Sequence, residues 1–446
     1  MKKTVLNSWK WTAAVVAIAL LAACGGRTGQ EPATAEETEG EMVARARGIH
    51  ERVITLDTHN DISVSNFTPE RNYTTDLGNQ VNLPKMEEGG LDVSWMVVYT
   101  GQGDLDEAGY AAAHENAIAK FDAIHWLAEE AAPDRIEIAY TSDDVRRIDG
   151  EGKKVAMIAV ENAYPVGLDL DNIRDFAERG GRYMSLSHNG HSQFADSNTG
   201  ERDDVWLHGG LSDLGRQAVA EMNKWGIMID LSHPAKTSNM QTLELSRAPV
   251  MASHSSARAV NDVSRNLDDE ELQALAANGG VVQTVAFSSY VDSDKNTAHR
   301  AAMRVIEEEI AAELGFELVE RSAVREMSDE ERNAYFGQMM EVRARASARA
   351  DEVADTAPPV DVSDFVDHID YLVNLIGLEH VGISSDFDGG GGVNGWNSAA
   401  ETFNVTLELV RRGYTEEEIG MLWSGNLLRV LDDVQRIAAE IQAEEG

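Results

Sequence analysis

The chain has 446 residues, 77 of them acidic and 38 basic, for a formal net charge of −39. A surface this acidic repels a phosphate backbone, which excludes nucleic acid as a partner and excludes charge-driven binding to an anionic membrane. With 43% hydrophobic residues it can bury a large core, and barrel folds of this length run as single units.

In chain order the first element is a leader. Met1, Lys2 and Lys3 precede the apolar run "WTAAVVAIALLAAC", which is too short to span a bilayer stably. The run ends in Leu21-Ala22-Ala23-Cys24 and resembles a bacterial lipoprotein signal, in which residues 1–23 are removed and the Cys24 thiol is lipidated. Cys24 is the only cysteine, so a disulfide framework and thiolate metal sites are excluded. Residues 24–41, rich in Gly, Thr, Glu and Ala, read as a flexible tether. The expected location is the cell envelope, lipid-anchored, and Gly25 in place of aspartate leans toward the periplasmic face of the outer membrane.

Eight short hydrophobic runs follow: "RVITLD", "DVSWMVVYT", "KVAMIAV", "RYMSLS", "GIMIDLS", "APVMAS", "GVVQTVAF" and "HVGISS". Near-continuous apolar strands are those of parallel sheets, buried on both faces. Several are separated by amphipathic helices with legible ends. Ser212 can cap "DLGRQAVAEMNKW" and Gly226 can stop it. Strand and helix alternating to eight predicts an α/β fold, a (β/α)₈ TIM-like barrel over residues 42–446, with a doubly wound open sheet as the alternative. A charged, helix-forming stretch at about 292–359 interrupts the rhythm before the eighth strand and reads as a helical insertion over the barrel's mouth or side. After the eighth strand, Thr415 and Glu418 at capping-box spacing open the closing helices.

Polar residues fall at the strand ends. His59 and Asp61 end the first run, Glu161 the third, His188 the fourth, His233 the fifth, His254 the sixth and Asp386 the eighth. In a parallel barrel these ends share one rim, where such folds carry active sites. Leaving His188 and Asp386 aside, three imidazoles and two carboxylates without thiolate suit zinc rather than calcium or magnesium. Five ligands exceed one catalytic zinc that keeps a position open. Two ions sharing a bridging carboxylate, with Glu161 as the natural bridge, resolve the excess and would hold a hydroxide between them for hydrolysis. Asp57 and Asp230 sit where they can orient ligands. His114 lacks the second histidine of a helical zinc motif, His191 and His208 read as loop histidines, and Asp388 reads as a shaper of the glycine-rich turn "DFDGGGG".

At these residues the sequence resembles the membrane dipeptidase, or renal dipeptidase, family of binuclear zinc peptidases. The pieces that carry the resemblance are "DTHND", "VEN", "LSHNGHSQFADS", "GIMIDLSH", "APVMASHSSARAV" with "SRN", "HVGISSDFDG" and "GNLLRV". It implies two zinc ions per chain, one held by His59 and Asp61, the second by His233 and His254, with Glu161 bridging. It further implies dipeptide substrates, catalytic roles for His188 and Asp386, and substrate-binding roles for His188, Arg265 and Asp386, as well as homodimers. Arg265 offers a planar fork to a free carboxylate, and Asp386 can pair with a free α-ammonium. Thr58 and Asn162 depart from the family, which commonly has glycine at both positions. Two other readings stand beside this one: a binuclear zinc amidohydrolase acting on another small amide or lactam, and a non-catalytic metal-binding envelope protein.

Overall fold

A computed structural model describes residues 37–446. The expected leader, the lipidated Cys24 and most of the tether lie outside the described residues. A helix begins at Glu39, two residues before the expected end of the tether. Among the described residues no helix is long and apolar enough to cross a membrane.

Nine strands form one parallel sheet: β1 (Leu56–Asp61), β2 (Val93–Tyr99), β3 (Ile136–Ile138), β4 (Lys154–Glu161), β5 (Gly181–Ser185), β6 (Met228–Asp230), β7 (Met251–Ala252), β8 (Val281–Val285) and β9 (Val381–Ser384). The order is β1-β2-β4-β5-β6-β7-β8-β9. The Asp61 amide donates to Phe387 O at 2.9 Å and closes the ring between its first and last strands. The eight expected strands are these eight. The ninth, β3, pairs with the start of β4 alone. It has three residues with a glutamate in the middle, too short and too polar at its centre for hydrophobic periodicity to mark it.

Alternate residues of the strands enter two apolar clusters. Met96, Val98, Ala156, Ile158 and Val160 join the larger one. Val93, Trp95, Val97, Val155, Met157, Ala159 and Tyr183 join the second, with Leu427, Leu428, Leu431 and Val434 of the closing helix Asn426–Glu445. Both strand faces are therefore covered, which is why the runs lack clean alternation. The helix Asp213–Trp225 is capped as its sequence predicts. The Ser212 side chain accepts from the Gly215 amide, and Gly226 takes φ +71°. The Thr415–Glu418 capping box also forms, but a wide turn at Met421–Gly425 then breaks the closing segment, with Trp423 Nε1 donating to Thr406 Oγ1 at 2.9 Å.

The insertion is helical, with Ser293–Leu314, Arg321–Glu326 and Asp329–Ser347 as its helices. It has a small core of its own, in which Ile306, Ile310 and Ala311 pack on Val342 and Ala346. Lys295 ties its start to Asp364, and His299 Nδ1 donates to Ala357 O at 2.8 Å.

Candidate metal centre

Because every strand runs the same way, their C-terminal ends meet at one rim. There Glu161, 3% exposed, divides its two oxygens: Oε2 lies 3.5 Å from His59 Nε2, while Oε1 lies 2.9 Å from His233 Nε2 and 3.4 Å from His254 Nε2. The His233 and His254 Nε2 atoms are 3.0 Å apart. His188 Nε2 stands 3.7 Å from Glu161 Oε1. Asp61 and Asp386 group with His59. The structure thus gathers His59, Asp61, Glu161, His188, His233, His254 and Asp386 at one place.

Two of the histidines, His59 and His254, are aimed by groups behind them, whereas His233 Nδ1 is buried without a partner. Tyr183 Oη donates to Thr58 O at 2.9 Å and so accepts from His59 Nδ1 at 2.8 Å. Ser253 Oγ donates to Asp230 Oδ2 at 2.6 Å and accepts from His254 Nδ1 at 2.7 Å. Both rings therefore commit Nδ1–H to the group behind and leave Nε2 toward Glu161, so that a metal ion replacing any proton on Nε2 would meet the ligating tautomer. Asp57 acts differently from Asp230. It accepts from Ser385 N and Oγ and from Asn60 Nδ2, holding the seam where the barrel closes. His188 has no such orienting bond among the described residues. It is partly exposed and packs edge-on against Tyr99, ring centroids 4.7 Å apart.

The electrostatics call for a cation. Burial alone would raise Glu161, but His188, His59 and His233 hold it well below the usual carboxylate range. Burial opposes a charge on His59, yet Glu161 outweighs it and pushes the imidazole up to about 10. Asp61 is pushed up to about 7 by burial and by Glu161, and Asp386 well above its ordinary value by burial. Burial, reinforced by charged neighbours, keeps His233 and His254 far below theirs, hence neutral and ready to ligate. His59 Nε2 and Asp61 Oδ1 are buried without hydrogen-bond partners. Divalent cations fit this donor set, because they would satisfy the orphaned atoms and neutralise the crowded carboxylates.

Backbone strain gathers at the same rim. Asn162 (φ +74°), His233 (+81°), Asp386 (+57°) and Asp388 (+62°) are left-handed non-glycine residues. Asparagine tolerates that region, so Asn162 replaces the family's usual glycine without loss of the turn. Thr58 is likewise accommodated: its hydroxyl donates to Ser253 O at 2.8 Å, beside His254. Gly389 has no room for a side chain, since a Cβ would collide with both Asp61 and Asp386.

A cavity of about 420 Å³ opens over the centre. Arg265, 7% exposed, is not in its wall. It lies at the edge, with Nη2 donating to His254 O at 3.2 Å, its guanidinium 5.3 Å from the Tyr290 ring and its Nε unpartnered. Tyr290 does line the cavity, as do Tyr99, Lys120 and Phe287, and sequence reasoning missed all four. Tyr99 ends β2 and Phe287 and Tyr290 follow β8, the two strands without a histidine or carboxylate at the tip, so the strand-end rule extended to aromatics would have found three of them. Lys120 sits on a helix, where a lysine reads as solvent-facing. His191 and His208 bond loop carbonyls, Val205 O and Ser192 O, and His114 lies 3.2 Å from Pro165 O. Asp388 accepts from Gln80 N and Asn79 Nδ2 and so anchors the neighbouring loop. No residue of the insertion is among those lining the cavity.

The chain is similar to known proteins in sequence and fold. The family described as membrane dipeptidase (Peptidase family M19) matches residues 43–445. Dipeptidase aclJ of Aspergillus oryzae is 29% identical over 404 residues, 87% of this chain and 80% of its own. Dipeptidase 3 of Rattus norvegicus is 27% identical over 390 residues, 86% of this chain and 65% of its own. Among solved structures, the probable dipeptidase PvdM from Pseudomonas aeruginosa aligns with a TM-score of 0.72 at 30% identity, over 90% of this chain and 100% of that one. A metallo peptidase from Rhodobacter sphaeroides, liganded with a phosphinate mimic of L-Ala-D-Ala, shares the fold at a TM-score of 0.63 and 23% identity, over 86% and 99% of the two chains.

Proposed function

The chain belongs to the membrane dipeptidase family and is a metal-dependent dipeptidase, and from that premise we propose that its rim holds two zinc ions and grips both ends of the substrate. His59 and Asp61 would hold one ion, His233 and His254 the other, with Glu161 shared. The observation that carries this reading is the division of the Glu161 oxygens, one toward His59 and one toward His233 and His254. Bound ions of this kind supply Lewis acidity toward the scissile carbonyl and make water acidic enough to attack at neutral pH.

The remaining work falls to protein groups. His188 is free of an orienting bond, faces the cavity and can donate to the carbonyl oxygen as charge develops there. Asp386 pairs with the substrate's α-ammonium and can carry a proton to the leaving nitrogen. Arg265, with Tyr290 in front of it, receives the free carboxylate. A site that clamps both charged ends admits two residues. A panel of free dipeptides, C-terminally amidated dipeptides, tripeptides and cyclic amides tests this. Free dipeptides should be cleaved far better than the rest. Equal rates would move the substrate class to the alternative of a general small-amide hydrolase.

The sequence of residues 1–24 supports a lipid anchor at Cys24, Gly25 supports the periplasmic face of the outer membrane as its place, and the family resemblance supports a homodimer. Cys24→Ser should shift the protein out of the membrane fraction with the catalytic domain intact. Unchanged attachment and processing would contradict lipidation.

A further inference from the structure

Lys120 forms part of the cavity wall beside Tyr99 and has no role in the chemistry described so far. It lies on the helix Glu107–Trp126 and is only 8% exposed. Among the described residues its ammonium has no hydrogen bond and no ion pair. The Tyr99 ring lies 5.3 Å from Nζ. Lysines on helices are almost always solvated, and a buried one is expensive unless its charge is met. Here burial works against the charge, and only the more distant Asp61 and Glu161 support it. The result is a partly desolvated cation with donors to spare, at the edge of a substrate cavity.

Space adjoins it. Lys120 and Tyr99 also line a second cavity of about 430 Å³. The helix face one and two turns before Lys120 carries Asn116, Ala113 and Ala112, and these small side chains form the floor of that cavity.

Two cations thus stand at the centre in different surroundings. Arg265 donates to His254 O and its charge bears on His188, His233, His254 and also Asp386, whereas Lys120 shares the cavity wall with Tyr99 and Asp61 and bears on Asp61 and Glu161. If Arg265 takes the α-carboxylate of the C-terminal residue, the half with His59, Asp61 and Asp386 receives the N-terminal residue. Resting on the dipeptidase reading, we propose that Lys120 and its adjoining cavity form a subsite for an anionic side chain on the substrate's N-terminal residue, as in aspartyl and glutamyl dipeptides. A carboxylate placed there gains charge-assisted hydrogen bonds away from bulk water. A neutral isostere would leave the ammonium unmet.

The test is a ratio. With the zinc-loaded enzyme, kcat/KM for Glu-Ala should exceed that for Gln-Ala by about tenfold or more, the usual effect of a charge-assisted bond in a desolvated pocket. In Lys120→Met, which keeps the stem's volume and so the packing, the ratio should fall to one or below, and Lys120→Arg should restore part of it. Titrating metal-free protein with the two dipeptides should show the same change as an affinity. The ratio for Ala-Glu over Ala-Gln should not respond to Lys120→Met, since that side chain lies in the other half. A wild-type ratio near one, or a ratio unaffected by Lys120→Met, overturns the subsite. So does a fall in zinc affinity with the ratio unchanged, which would make Lys120 a charge balancer for Asp61 and Glu161. Failure to cleave any dipeptide would overturn this proposal and the dipeptidase reading together.

Discussion

The rim of the barrel and the insertion between β8 and β9 are both rich in charged residues, yet they treat charge in opposite ways. In the insertion, several charges pair within about one turn of the same helix, as in Arg304 with Glu308 and Arg345 with Glu341, and remain in solvent. Such pairs contribute little. At the rim the charged groups come from different strands, far apart in sequence, and are almost completely buried: His59 is 0%, His254 2% and Glu161 3% exposed. Burial there is offset where Glu161 faces His59, His233 and His254, and the His59 and His254 rings are aimed from behind. The difference teaches that charge content does not mark a site. Convergence of buried charge from separate elements does.

The largest effect that sharpens the comparison belongs to Arg265. Arg265→Ala should lose on the order of a hundredfold in kcat/KM on free dipeptides, because a buried charge-assisted contact disappears. Amidated dipeptides should lose little further in that variant, the shared contact being already gone. Additive losses in the two measurements would break the assignment of Arg265 to the carboxylate.

A smaller loss is expected one layer behind the ligands. Ser253→Ala removes the link between Asp230 and His254, leaving the ring free to turn, and should weaken zinc binding by roughly tenfold or more. Competition with a chromophoric chelator measures it. Unchanged affinity would mean that packing alone fixes His254.

The insertion should show the reverse pattern. Val342→Ala, in its small core, should lower stability by about 1 kcal/mol or somewhat more while leaving kcat/KM on dipeptides within about twofold, since function and stability effects at distant sites are independent. A large activity loss in a folded variant would break the separation of the two regions.

Much of this was legible in the sequence, for identifiable reasons. Eight apolar runs sufficed for the barrel because both faces of each strand are buried. The centre was legible because histidines and carboxylates at strand ends are chemically unmistakable. β3 escaped because its three residues carry no periodicity. The π turn at Met421–Gly425 escaped because "MLWSG" reads as continued helix. Tyr99, Phe287 and Tyr290 escaped because the strand-end rule was confined to histidines and carboxylates, and Lys120 because a lysine on a helix has an ordinary solvated role and only three-dimensional placement puts it against the cavity. The insertion was legible as helix, but its position was not, because helical pattern says nothing about which face of a barrel it covers.

The central claim is a paired metal centre bridged by Glu161, and its most direct test is hydrolysis of a free dipeptide as zinc is titrated into chelator-stripped protein. Activity should be absent without metal and should reach its plateau only when two equivalents are bound per chain. A plateau at one equivalent, or activity that survives complete removal of metal, would contradict the account.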